Sequence, residues 1–397
     1  MSTSDSPNLG RRKLLQFTGM FAGGAALAGL SSSAVATGVS SASNASDIAT
    51  SFIPPTKESP IRICWNENPL GMSPKAQSAA REAITLGNRY PMKNSRVLHK
   101  MIADNYGVAP EAVLLTAGAT EGIRAVIEAL AAPNVQLVVP ELTYHAAEVG
   151  AKDNGMTKIV HVPMDKDWGI DLAAMKQAVA NYDGPSLIYL VNPNNPTGAI
   201  SNADAVEAWI NSRPKDAIFL MDEAYAEFAD DAAFRSVGPL VKAGADNVVL
   251  LKTFSKLYAM AGMRVGWIVS TPEMIKRFST KTADNMLNAP AVSAAIASLQ
   301  DADFMRYSRA SNKHSRGILL QALTTLGIDY IPSNTNFIFH KLTVPLAEYQ
   351  AHMKQAGILV GRAFPPADEY CRVSLGTPEE MTFVANTMLA FRKKGWV

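Results

Sequence analysis

The stretch VVLLKTFSKLYAMAGMRVGWIVS, residues 248–270, decides the fold. Its two ends, 248–251 and 265–269, are short β-branched runs of the kind that form buried strands, and a polar segment with glycine lies between them. Working outward, similar runs recur at 136–139, 187–191 and 217–221, and longer helical stretches separate them from about residue 61 onward. That alternation predicts an α/β fold with a mostly parallel sheet. In such a sheet ligands bind beyond the carboxyl ends of the strands, so the residues that follow each run are the ones to inspect. Further on, a helical stretch at 302–326 precedes a strand at 336–340, a helix at 347–356, strands at 358–360 and 372–374, and a final helix from Pro378. This pattern predicts a second, smaller α+β domain.

At 397 residues the chain has room for two domains, since cores split above roughly 250 to 300 residues. With 48% hydrophobic and 18% charged residues it is ordinary for a globular protein. Lys and Arg number 37 against 35 Asp and Glu, a net charge of +2 that gives no electrostatic footprint for nucleic acid. Cys64 and Cys371 lie far apart with no metal-ligand spacing, so neither zinc nor a disulfide framework is indicated.

Residues 1–50 differ from the rest. Arg11-Arg12-Lys13 precedes an uncharged apolar run, 14–30, rich in Gly and Ala. This is a signal-peptide pattern, the paired arginines resemble a twin-arginine export signal, and Ala34-Val35-Ala36 offers a cleavage site. The expected location is therefore periplasmic or exported, with an uncleaved leader acting as membrane anchor as the alternative. The expected organisation is a leader at 1–36, a flexible tether at 37–55, an N-terminal arm with part of the small domain at 56–84, a large domain at 85–300 and a small C-terminal domain at 301–397.

Four motifs stand out, and the first three follow predicted strands. Thr253-Phe254-Ser255-Lys256, with Arg264 eight residues on, sets hydroxyls and a guanidinium around a lysine. A lysine at a strand end is often a solvated cap, but this combination suits a phosphorylated carbonyl ligand: the guanidinium forks onto phosphate, and a desolvated amine condenses with an aldehyde. Met221-Asp222-Glu223-Ala224-Tyr225 places a carboxylate at a sheet mouth. Asp222 reads as a helix N-cap, a metal ligand or a partner for a cationic ring nitrogen, and no histidine spacing supports the metal. Asn192-Pro193-Asn194-Asn195-Pro196-Thr197-Gly198 is a proline-stiffened turn that presents an amide rigidly. Thr116-Ala117-Gly118-Ala119-Thr120-Glu121-Gly122 opens a helix whose free N–H groups attract anions.

These four motifs, in this order, resemble the fold type I pyridoxal-phosphate aminotransferases, most of all the histidinol-phosphate aminotransferase branch, over about residues 61–397. The resemblance implies a large domain with a seven-stranded, mostly parallel sheet and a smaller α+β domain. It implies pyridoxal 5'-phosphate as cofactor and amino acids and 2-oxo acids as substrates. By the same likeness Lys256 is the Schiff-base lysine and proton shuttle, Asp222 faces the ring nitrogen, and Asn195 and Tyr225 meet the ring hydroxyl. Phosphate contacts fall to the backbone of Ala119 and Thr120 and to Thr253, Ser255 and Arg264. Tyr144 matches the aromatic that stacks on the ring, and Arg372 the arginine that grips the substrate carboxylate. Tyr90 matches a tyrosine that reaches the neighbouring site, which implies a homodimer.

The likeness departs at two places. Leu70, in Asn66-Glu67-Asn68-Pro69-Leu70-Gly71, stands where the histidinol-phosphate enzymes usually carry a tyrosine, and Arg362 lies near their substrate-phosphate position without a motif to fix its register. The same fold and cofactor also serve decarboxylases, lyases and racemases, and a protein that binds the cofactor without turnover is the remote alternative. The expected export route is the machinery that carries folded proteins, which lets a cofactor be loaded first.

Overall fold

A computed structural model describes residues 52–283 and 287–397. The expected leader, and the tether up to residue 51, lie outside the described residues. The chain enters at β1 (Ile61–Arg62) and runs through α1 (Pro74–Ile84), α2 (Met92–Tyr106), β2 (Val113–Thr116), α3 (Ala119–Leu130), β3 (Gln136–Pro140), α4 (Ala146–Asp153) and β4 (Lys158–Val162). It continues through α5 (Leu172–Ala180), β5 (Ser186–Val191), α6 (Ala203–Asn211), β6 (Ala217–Asp222), α7 (Gly238–Lys242), β7 (Val248–Thr253) and β8 (Gly266–Val269).

Seven of these strands form one sheet in the order β2-β8-β7-β6-β5-β3-β4. Neighbours from β7 to β4 are parallel, and β8 is antiparallel to both β7 and β2. The exception has a simple cause. A parallel return needs a crossover connection, usually a helix, and the loop 254–265 holds only the short 3-10 turn Ala261–Met263.

Alternation along the strands sorts the core. Ile188, Leu190, Phe219, Met221, Val248 and Leu250 face one way, onto Leu98 and Ile102 of α2 and Val206 and Ile210 of α6. Leu187, Tyr189, Leu220, Val249 and Leu251 face the other, onto Ile123, Val126 and Ile127 of α3. Cover on both faces explains the unbroken apolar runs. It also fixes the site, because Asp222 follows Leu220, and Thr253 follows Leu251, on the α3 face at the carboxyl edge.

After α8 (Pro272–Ser279) and α9 (Ala289–Leu299), the 25-residue α10 (Ala302–Leu326) leads into the smaller domain. This contains β9 (Tyr330–Ile331), β10 (Phe337–Lys341), α11 (Leu346–Gln355), β11 (Ile358–Leu359), β12 (Tyr370–Ser374) and α12 (Pro378–Arg392). Strands β12, β10 and β9 pair antiparallel, while β1 pairs parallel with β11. Ile61 and Ile63 pack with Leu323, Met353, Val384 and Met388, so the entering segment is part of this second core. That segment then crosses to the carboxyl edge of the large sheet.

Candidate active site

The edge carries a cleft of about 310 Å³, at the lower end of the range for small-molecule sites. Its lining includes Lys256, Asp222, Tyr225, Asn195, Ala119, Thr120, Tyr144, Thr253, Ser255, Arg264, Arg362 and Arg372. Every residue given a site role from the sequence is therefore in one place except Tyr90. That side chain is 76% exposed and lies outside the cleft lining, so it is not a core tyrosine.

One end of the cleft is built for an anion. Gly118, at φ 82°, turns the chain from β2 into α3, and among the described residues no side chain caps that helix start. Arg264 closes the ring from the opposite side. Its Nη1 donates to Ser255 Oγ at 3.3 Å and to the Ala261 carbonyl at 2.9 Å, and its Nη2 donates to the Ala117 carbonyl at 3.1 Å. Thr253 Oγ1 donates to Ser255 Oγ at 2.8 Å. A Cβ on Gly118 would run into the Arg264 guanidinium, so the glycine keeps this cradle open.

The floor is Asp222, buried at the end of β6. Its Oδ2 accepts from the Tyr189 hydroxyl at 3.0 Å and its Oδ1 from the Ala224 N–H at 3.1 Å. Burial raises the Asp222 pKa, and these two bonds together with Lys252 and Lys256 pull it back. Tyr225, one turn on, accepts on its hydroxyl from Asn66 Nδ2 at 3.0 Å and from Asn195 Nδ2 at 3.3 Å. Burial pushes its pKa up to about 12, so the hydroxyl keeps its proton.

Lys256 reaches over this floor. Its Nζ donates to the Asn66 carbonyl at 3.1 Å and lies 5.5 Å from the Tyr225 ring centre. Burial, and then the charge of Arg372, bring its pKa down to about 8. A lysine so placed releases its proton far more readily than an exposed lysine and becomes mostly reactive amine above about pH 8.

Arg372, on β12, is walled in at 8% exposure. Its Nη1 donates to Asn195 Oδ1 at 2.5 Å and its Nη2 to the Cys64 carbonyl at 3.1 Å, while the Phe364 ring lies 4.8 Å from the guanidinium. Its buried Nε has no partner among the described residues. Such a guanidinium is poised to take a carboxylate. Arg362 differs: it is exposed, donates to the Ala363 carbonyl at 2.8 Å and stacks 4.4 Å from the Phe364 ring at the cleft mouth. Tyr144 stands beside Thr120, hydroxyl to hydroxyl at 3.4 Å. Both cysteines are free.

Two contributors escaped sequence reasoning. Tyr189 sits inside the run 187–191 and reads there as core, yet its hydroxyl holds Asp222. Asn66 was visible in its motif, but its role arises from residues hundreds of positions away. It adopts φ 56°, its N–H donates to Ser374 Oγ at 2.8 Å, Ser374 Oγ donates back to its Oδ1 at 3.0 Å, and Asn336 Nδ2 donates to its carbonyl at 3.0 Å. The segment from the small domain is thereby pinned against Lys256 and Tyr225.

The profile of the family Aminotransferase class I and II matches residues 58–388. The chain belongs to this aminotransferase family. Among its relatives, a histidinol-phosphate aminotransferase of Symbiobacterium thermophilum is 35% identical over 323 residues, which span 81% of this chain and 87% of that one. The solved structure of a protein from Erwinia carotovora atroseptica is 53% identical with a TM-score of 0.86, over 87% of this aminotransferase and 100% of that chain. A histidinol-phosphate aminotransferase from Sinorhizobium meliloti, solved in complex with pyridoxal-5'-phosphate, is 26% identical with a TM-score of 0.77, over 84% and 91% of the two chains. The fold is thus that of a fold type I aminotransferase, with the mostly parallel seven-stranded sheet and the small domain already described.

The residues of this aminotransferase fit such a phosphorylated pyridine aldehyde. The Gly118–Arg264 cradle, which a Cβ would fill, has the donors for a phosphate. A buried carboxylate faces the far end and an amine of lowered pKa lies between.

Proposed function

We propose that this aminotransferase holds pyridoxal 5'-phosphate in the cleft and moves an amino group between an amino acid, or an amino alcohol phosphate, and a 2-oxo acid. The observation that carries the reading is the single cleft in which Lys256, of lowered pKa, reaches over Asp222 and Tyr225 and stands near the phosphate cradle and Arg372. When bound, the cofactor supplies an aldehyde that takes up amines and a ring that withdraws electrons.

The residues divide the work. Ala119 and Thr120, through their backbone, and Thr253, Ser255 and Arg264 hold the phosphate. Asp222, braced by Tyr189, keeps the ring nitrogen protonated, and Asn195 and Tyr225 bond the ring hydroxyl. Tyr144 stacks on the ring. With the cofactor bound, Lys256 would, as a free amine, take and return the proton at the substrate α-carbon. The Asn66 carbonyl, 3.1 Å from Nζ, steadies it. Arg372 binds the substrate carboxylate through a fixed fork, which supports reactions that keep that group over decarboxylation. Arg362, at the mouth, faces the rest of the substrate. Leu70 lies outside the cleft lining and brings no hydroxyl, so Arg362 at the mouth is the residue that would meet a substrate phosphate.

The reading extends to the assembly. Tyr90 lies in an exposed apolar stretch with Ile84, Leu86 and Met92, 45% to 76% exposed, which supports a homodimer in which Tyr90 reaches the neighbouring site. The leader supports export to the periplasm as a folded protein.

The test is a visible absorbance spectrum of the purified protein, alone and with a panel of amino acids and histidinol phosphate, beside Lys256→Ala and Arg372→Ala. The expected result is a cofactor band that one donor bleaches and a 2-oxo acid restores. It should be altered in Lys256→Ala, and Arg372→Ala should need far more donor. A protein that takes up no cofactor would sink the proposal.

A further inference from the structure

The reverse side of the sheet carries charges that this chemistry does not use. Because side chains alternate along a strand, the residue after Asp222 and the residue before Thr253 point away from the cleft, toward α2. These are Glu223 and Lys252, at 1% and 5% exposure. Lys252 Nζ pairs with Glu227 Oε1 at 2.6 Å and lies 3.9 Å from Glu223 Oε2. Glu223 accepts from Ser236 Oγ at 2.6 Å and from the Val237 N–H at 2.8 Å. Tyr106 of α2 and Tyr258 border the group and feel its charge.

A buried ion pair is a poor source of stability, since apolar residues of like volume often do as well or better. Its place in the fold gives a better reason for it. Strands β6 and β7 pair with Asp222 opposite Leu251, and the Glu223 N–H donates to the Leu251 carbonyl at 3.0 Å. That is the last rung before the two chains separate into Tyr225 on one side and Lys256 on the other. Beyond it, the Lys252 pair is what joins them.

We propose that Lys252, Glu227 and Glu223 form a clamp behind the site: by tying the ends of β6 and β7 together on one face, they fix the spacing of Asp222, Thr253 and Lys256 on the other. They are positioning residues, and the inference rests on the cofactor reading given above. Electrostatics act in the same sense. Burial raises the Asp222 pKa, and the Lys252 charge is among the influences that lower it, so Lys252 itself helps keep the carboxyl ionised.

Three variants test this: Lys252→Met, Lys252→Arg and the double Lys252→Met with Glu227→Gln, which leaves neither Lys252 nor Glu227 as a lone buried charge if the single variant fails to fold. Cofactor-free protein is titrated with pyridoxal 5'-phosphate, following visible absorbance, and unfolded separately in urea. The expected result is cofactor affinity lowered roughly tenfold in the methionine variants, the scale seen when outer partners of a ligand set are lost, with recovery in Lys252→Arg. The proposal is overturned if the methionine variants move the urea midpoint yet bind cofactor with unchanged affinity and spectrum, for then the cluster serves stability alone. Asp222→Ala is run beside them. Undiminished affinity there would overturn the reading of the site itself, and the clamp with it.

Discussion

Replacing Lys256 by methionine should stabilise the cofactor-free protein, by an amount that depends on pH. The lysine has a pKa of about 8 in the fold against 10.5 for an ordinary lysine, with burial as the main cause and Arg372 the next. At about 1.4 kcal/mol per pKa unit, charging this amine inside the cleft costs about 3 kcal/mol, an upper figure because the cleft admits water. The sign follows from linkage. Below pH 8 both folded and unfolded chains carry the charge and the full cost is present; above 10.5 both are neutral and it is gone. Between the two the unfolded chain binds more protons, so wild-type stability gains as pH rises. Lys256→Met removes the charge and keeps the length, and the Asn66 carbonyl it leaves still accepts from Asn336. The variant should therefore exceed wild type in urea unfolding at pH 7 and lose most of that margin by pH 10. A margin that is flat with pH would refute the argument, because better apolar packing by methionine does not titrate. So would a variant less stable than wild type at pH 7.

Two further changes address the ends of the cleft. Tyr189→Phe removes the 3.0 Å bond to Asp222 and leaves that buried carboxylate with the Ala224 N–H, so cofactor affinity should fall by about 1–2 kcal/mol in an absorbance titration. Gly118→Ala combines a positive φ with a Cβ set against the Arg264 guanidinium, and should cost about 1–3 kcal/mol in urea unfolding and weaken the cofactor together. Gly262→Ala, which meets nothing within 4 Å, is the control expected to leave unfolding nearly unchanged.

What the sequence made legible, and what it hid, divides along a physical line. Strands β3, β5, β6, β7 and β8 announce themselves because cover on both faces demands unbroken apolar runs. The two strands of the large sheet that the sequence reading passed over, β2 and β4, are its two edges, and β4 spends Lys158 and His161 on solvent. The site follows the same division. Lys256, Asp222, Asn195 and Arg264 stand out because polar residues that follow apolar runs break the composition around them. Tyr189 does not, since a tyrosine among Leu187, Ile188 and Leu190 looks like filling until its hydroxyl is found against Asp222. Lys252 and Glu223 were hidden differently: Glu223 lies inside, and Lys252 directly before, a motif whose neighbours attracted the chemistry, and only the alternation of strand faces separates them from it. Asn66 depended on closure, because Ser374 and Asn336 reach it from 308 and 270 residues away. Residues that meet a ligand are thus legible from local pattern, whereas residues that brace them are selected by contacts distant in the chain. Substitutions at Tyr189, Asn66 or Lys252 therefore probe the fold's contribution to this chemistry in a way that substitutions at Lys256 do not.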